Sequence, residues 1–153
     1  MDADEAVIRR FWDALSQGDG ATMADCYAPD ASFEDAVFTL RGHDIGKMWR
    51  TLMPGGTDLK VVTSALALER DGDTCIAHGQ WEAHYTFRAT GRHVRNHITT
   101  TIRARDGAIV EHSDDFAFWR WARQALGPVT GGLLGWTPLV RQRVRAQARR
   151  MLR

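Results

Sequence analysis

VRNHITTTIRARDGAIVEHSDDFAF, residues 94–118, is two runs of alternating polarity around the turn signal Arg105-Asp106-Gly107. Side chains two apart on a strand point the same way, so the stretch predicts a β-hairpin. A three-residue loop with a bulge at Gly107 would pair Ala104 with Ala108 and Ile102 with Val110. One face would then carry Asn96, Ile98, Thr100 and Ile102 beside Val110, His112, Asp114 and Phe116. A two-residue Asp-Gly turn would instead bring His97, Thr99 and Thr101 beside the second strand. His112 and Asp114 share a face in either register.

Working outward, the chain before the hairpin is helical first and extended later. Val7, Ile8, Phe11, Trp12 and Leu15 recur at helical spacing over residues 4–17, with Gly18 placed to end the helix. Asp19 offers a cap for a second helix over residues 20–27, with Pro29 beyond it. A short strand over 31–38 delivers Glu34 and Asp35, and a third helix is expected over 43–53, ended by Pro54-Gly55-Gly56. Strands over 60–70 and 74–88 then meet at Asp71-Gly72-Asp73. Three helices ahead of several long strands predict an α+β fold, a curved antiparallel sheet with helices on one face.

After Phe118 the pattern changes. Residues 119–126 read as a short helix, 129–136 as a glycine-rich apolar linker, and Thr137-Pro138 as the start of a last helix. The final 38 residues hold eight arginines and no acid, whereas all 19 acids precede them among 12 basic residues. A basic tail on an acidic body predicts docking on that body, or on a sister subunit. Nucleic acid and a membrane surface fit less well, because the helix has no interleaved aromatics and its apolar stripe is narrow.

Bulk composition excludes the more exotic classes. With 153 residues, 44% of them hydrophobic and 25% charged, the chain has the size and balance of one folded domain. No apolar run reaches membrane-spanning length and the first 20 residues are not signal-like, which predicts a cytoplasmic protein. Cys26 and Cys75 stand far apart with no ligand spacing, so reduced thiols and no metal are expected.

The polar residues that interrupt apolar faces are the candidates for chemistry. Asp35 lies between an apolar strand and a helix, where a desolvated carboxylate can act as a general base; capping the next turn would explain it as well. Glu34 points the other way. His112 and Asp114 on an apolar face demand partners or a role, since an unpaired buried polar group costs roughly 1–3 kcal/mol. Gln80, Glu82 and His84 form a polar row on the neighbouring strand, and His78, His93 and His97 show no ligand spacing.

The segments 8–19 (IRRFWDALSQGD), 27–35 (YAPDASFED), 40–42 (LRG) and 106–116 (DGAIVEHSDDF) resemble the nuclear transport factor 2-like (NTF2-like) superfamily, and within it the SnoaL-like and ketosteroid isomerase-like branch. The resemblance covers residues 5–118 and implies a cone-shaped α+β fold over 1–118, with 119–153 as a helical extension. It aligns Asp35 with the isomerase's general base, a residue type that serves as a standard example of pKa tuning. Phe11 stands in place of the oxyanion-hole tyrosine, and Thr100 or a neighbour in place of its protonated aspartate. Against limonene epoxide hydrolase, Asp114 matches one catalytic aspartate, while Gln80 and Glu82 stand at the positions of the arginine and second aspartate. The expected protein is a cofactor-independent acid–base enzyme of the isomerase, cyclase or epoxide-hydrolase type. Asp35, His112 and Asp114 would be catalytic, and Trp12, Trp49, Thr100 and Phe116 would hold a small hydrophobic substrate. A homodimer through the convex sheet face is also expected. The competing expectation is a non-catalytic binding or assembly module on the same fold.

Overall fold

The computed structural model describes residues 1–53, 58–128 and 138–152. The expected helix stop at 54–56, the linker at 129–136 and the Thr137 cap lie outside them. Helix α1 (Ala3–Gln17) starts where Asp2 accepts the Glu5 N–H and stops at Gly18, whose φ is 67°. Helix α2 (Gly20–Asp25) is capped by Asp19. Strands β1 (Tyr27–Glu34) and β2 (Thr39–Arg41) follow, then α3 (His43–Leu52) and the long strands β3 (Lys60–Asp71), β4 (Thr74–Phe87), β5 (Arg92–Arg105) and β6 (Ala108–Asp115). Helices α4 (Phe118–Leu126) and α5 (Pro138–Met151) close the chain.

The six strands form one curved sheet in the order β2-β1-β6-β5-β4-β3. It is not wholly antiparallel, because β1 runs parallel to β6. That pairing also moves an element boundary: α2 ends before Tyr27, where the sequence placed its last turn. The Ile109 N–H binds the Cys26 carbonyl and Tyr27 pairs with Ile109, so the sheet edge captures these residues as the start of β1. Pro29, which cannot donate to a ladder, falls in the irregular stretch between Tyr27 and Ser32.

The hairpin combines features of both expected registers. Arg105 pairs with Ala108 across a two-residue turn in which Asp106 and Gly107 take φ of 55° and 77°. Two successive left-handed residues match the twist of the flanking strands. A register shift one residue later sets Ala104 opposite Ile109 and Arg103 opposite Glu111, leaving Val110 as the extra residue of a bulge. Val110 is therefore half-buried and Ile109 takes the core position. From there Ile102 faces His112 and Thr100 faces Asp114, two residues on from the expected Ile102–Val110 pair, so His112 and Asp114 stay on the inner face while Val110 leaves it.

The inner face is apolar, and α1 lies across it with Ile8, Phe11, Trp12 and Leu15 buried. Gly79 on β4 makes room for Trp12: a Cβ there would come within 2.5 Å of the indole. Gly79→Ala should therefore cost about 1–3 kcal/mol, because the rigid ring system must shift, and a urea melt would show it as a lower midpoint at unchanged slope. Helix α4 seats Phe118, Trp121, Ala122 and Ala125 with Val94 in a second apolar cluster at the other end of that face, and the Trp121 indole donates to the Tyr85 hydroxyl. Helix α5 places Val144 and Ala148 against the two clusters, joined by Leu152 just beyond its end, and Arg145 Nε donates to the Ala36 carbonyl at 3.1 Å. The outer face is mostly polar, with Val62 exposed on it: Glu82 takes two hydrogen bonds from Arg95 and contacts His84.

Candidate functional site

Two chains of hydrogen bonds cross the interior and end on one oxygen. In the first, the Trp49 indole donates to the Tyr27 hydroxyl at 2.9 Å, and that hydroxyl lies 2.6 Å from His112 Nδ1. An indole N–H only donates, so Tyr27 accepts it and turns its own proton toward Nδ1. His112 Nε2 then carries the ring proton and donates to Asp114 Oδ1 at 2.8 Å. In the second chain, the Trp81 indole donates to Thr100 Oγ1 at 2.9 Å, and Thr100 donates to the same Asp114 oxygen at 2.6 Å. Every donor is aimed at Asp114.

The surroundings fix this arrangement. His112, 2% exposed, is boxed by Phe11 and Phe33 edge-on and by Tyr27 and Trp49 in stacked orientation, with ring centres 4.9–6.3 Å away. Burial holds the Tyr27 hydroxyl well above the usual phenol range, keeping it a donor. With both ring nitrogens engaged and four aromatic neighbours, His112 has no free ring nitrogen to offer a bound molecule. The second carboxylate oxygen of Asp114 has no hydrogen bond, yet no fully buried side-chain oxygen or nitrogen lacks a partner among the described residues. That oxygen is therefore reachable by a water-sized molecule.

Asp35 stands at the end of β1, where the chain turns into β2. Its Oδ1 accepts the N–H groups of Val37 at 2.7 Å and Phe38 at 2.6 Å, so it does cap the turn. Its other oxygen carries no hydrogen bond, and the carboxylate forms no ion pair among the described residues. Burial outweighs the two backbone donors and, helped by the nearby charge of Asp114, raises the pKa to about 6, with His112 pulling the other way. Capping occupies one oxygen of the residue and leaves the other uncommitted among the described residues.

The structure thus brings Asp35, His112 and Asp114 together, with Trp49 and Thr100 as members of the hydrogen-bond chains. Trp12 lies against Gly79, and half-buried Phe116 packs with both apolar clusters. Gln80 is exposed and Glu82 binds Arg95, both on the outer face, so neither stands beside Asp114. Sequence reasoning missed Tyr27 and Trp81. The available signal for Tyr27 was Pro29, which disfavours a helix running up to it and fits an irregular edge strand. No group of three metal-ligating side chains converges among the described residues.

A family model described as a SnoaL-like domain matches residues 8–112. No curated protein sequence matches. Among solved structures, an LEH-like epoxide hydrolase from Mycobacterium tuberculosis is 19% identical, covering 84% of this chain and 92% of its own, with a TM-score of 0.59. A polyketide cyclase candidate from Xanthomonas campestris is 13% identical over 80% of this chain and 96% of its own, at 0.62. An isomerase candidate from Bacillus subtilis is 22% identical over 82% and 96%, also at 0.62. At these identities the likeness shows the fold. The chain belongs to the SnoaL-like domain family and has the α+β cone of NTF2-like proteins.

Proposed function

We propose that this protein is a cofactor-independent acid–base enzyme that moves a proton within a small hydrophobic molecule, with Asp35 as the proton acceptor. The observation that carries the reading is the division of labour in Asp35: one oxygen pinned by two backbone N–H groups, the other uncommitted, on a carboxylate whose pKa burial raises to about 6. A base tuned close to neutral pH and held by the backbone meets both requirements of proton abstraction from carbon. The C–H bond beside a carbonyl breaks, its proton goes to Asp35, and the electron pair moves onto the carbonyl oxygen. Return of that proton to another carbon gives an isomer; attack of the carbanion on a second carbonyl gives a ring, the electron pair of that C=O passing to its oxygen, which takes the proton back from Asp35. Asp114, held by the Tyr27–His112 and Trp81–Thr100 chains, offers its open oxygen as an acceptor to a hydroxyl or a water beside the reacting group.

The relatives named as epoxide hydrolase, cyclase candidate and isomerase candidate are consistent with this class. No helix among the described residues is long and apolar enough to cross a membrane. A cytoplasmic location, docking of the basic tail on its own body and a homodimer remain part of the proposal. The polar convex face would give that dimer an interface of ion pairs, which light scattering at two salt concentrations would reveal.

The test is exchange of the methyl protons of 2-acetylnaphthalene in deuterated water, followed by NMR. The enzyme reading expects exchange faster than buffer alone and proportional to protein concentration. Binding of the ketone without accelerated exchange would favour a ligand-binding module instead, a reading to which the complete enclosure of His112 gives some weight.

A further inference from the structure

Asn96 is 8% exposed, projects from β5 on the same face as Ile98 and Thr100, and makes no hydrogen bond through its carboxamide among the described residues. The amide is not sealed in, since no fully buried side-chain polar atom among the described residues lacks a partner. A buried amide with all its capacity unused is costly unless something enters to meet it. Its position is informative. Val94, two residues before it, belongs to the apolar cluster under α4, and Ile98, two residues after it, belongs to the main core. Val37, Tyr85 and Phe116 pack against both clusters, so Asn96 sits on the seam between them. Four residues of strand, about 13 Å, separate Asn96 from Thr100, the partner of Asp114. Ile98, Ala83 and Trp81 form an apolar floor between them.

We infer that Asn96 is the hydrogen-bonding anchor for the end of the substrate remote from Asp35, so that the site takes an elongated, largely apolar molecule with a hydroxyl or carbonyl oxygen at its far end. The inference rests on the concave-face site of the proposed function and adds the polarity and length of its ligand. Asn96 is a positioning residue, and it takes no part in moving the proton.

The test compares 6-hydroxy-2-acetylnaphthalene with 2-acetylnaphthalene, which lacks only the far hydroxyl, by calorimetry and by exchange of the methyl protons. The native protein should bind the hydroxylated ketone at least tenfold more tightly. Asn96→Leu should erase the preference to within about twofold and leave the exchange rate at saturation unchanged, a KM effect without a kcat effect. No preference in the native protein, or a preference that survives in Asn96→Leu, overturns the inference. The native comparison needs no variant to fold. A tenfold preference that vanishes in Asn96→Leu, with no exchange on either ketone, would sustain the anchor and sink the enzyme reading.

Discussion

Asparagine at position 35 should slow proton exchange about a thousandfold and at the same time make the protein more stable at neutral pH. Both effects come from the same carboxylate. Asn keeps an oxygen to accept the Val37 and Phe38 N–H groups, so the turn survives, but it cannot take a proton from carbon. The stability gain follows from linkage. In the folded protein Asp35 titrates at about 6, against 3.8 for an ordinary aspartate. The folded state therefore holds the proton more tightly, and between these pH values stability falls as pH rises. The whole penalty is present above pH 6. It amounts to about 2 kcal/mol, once some solvent screening at this half-buried group is allowed for. Asp35→Asn removes it, raising the melting temperature by roughly 4–8 °C at pH 8 and by almost nothing at pH 4. The native exchange rate should rise tenfold per pH unit below 6 and level off above it. A variant that keeps its exchange rate would show that some other group is the base, and equal melting shifts at both pH values would remove the claim that Asp35 is desolvated.

How much of this was legible in the sequence depends on the range over which each feature is decided. The inner residues of β5 follow from a two-residue period, and the pairing of His112 with Asp114 follows from their separation, so both were readable before any fold was known. The register was not. The Asp106-Gly107 turn and the bulge at Val110 each shift the pairing by one residue in the same direction, so Ile102 faces His112 in place of Val110 while the same side of each strand stays inward; only the packed sheet shows that both are present. Tyr27 was hidden for a similar reason. Its neighbours Met23 and Cys26 have helical spacing, and what pulls Tyr27 into a strand is a partner 82 positions later, Ile109. The outward direction of Gln80 and Glu82 was readable from alternation against Trp81. The unused amide of Asn96 was not, because an absent partner can be recognised only once every neighbour is placed.

Alanine at position 114 should be the most destabilising change in the inner network. It strands the His112 Nε2–H and the Thr100 hydroxyl, both on residues no more than 2% exposed, at the point where two donor chains converge. Losing one member of a buried, hydrogen-bonded pair costs about 3–5 kcal/mol, which for a chain of this size lowers the melting temperature by roughly 10 °C or more. Asp114→Asn should cost only about 1 kcal/mol, because its carboxamide oxygen can receive both donors while its N–H₂ group takes the open side. Thr100→Val removes one of the two donors and leaves the Trp81 indole without its acceptor. Combined with Asp114→Ala, its cost should fall well short of additive, since the alanine has already removed the oxygen that Thr100 serves. Equal losses in Asp114→Ala and Asp114→Asn would show that the charge of Asp114, rather than the acceptor position of Oδ1, holds the network together. Strict additivity with Thr100→Val would show that the two chains do not meet on that oxygen.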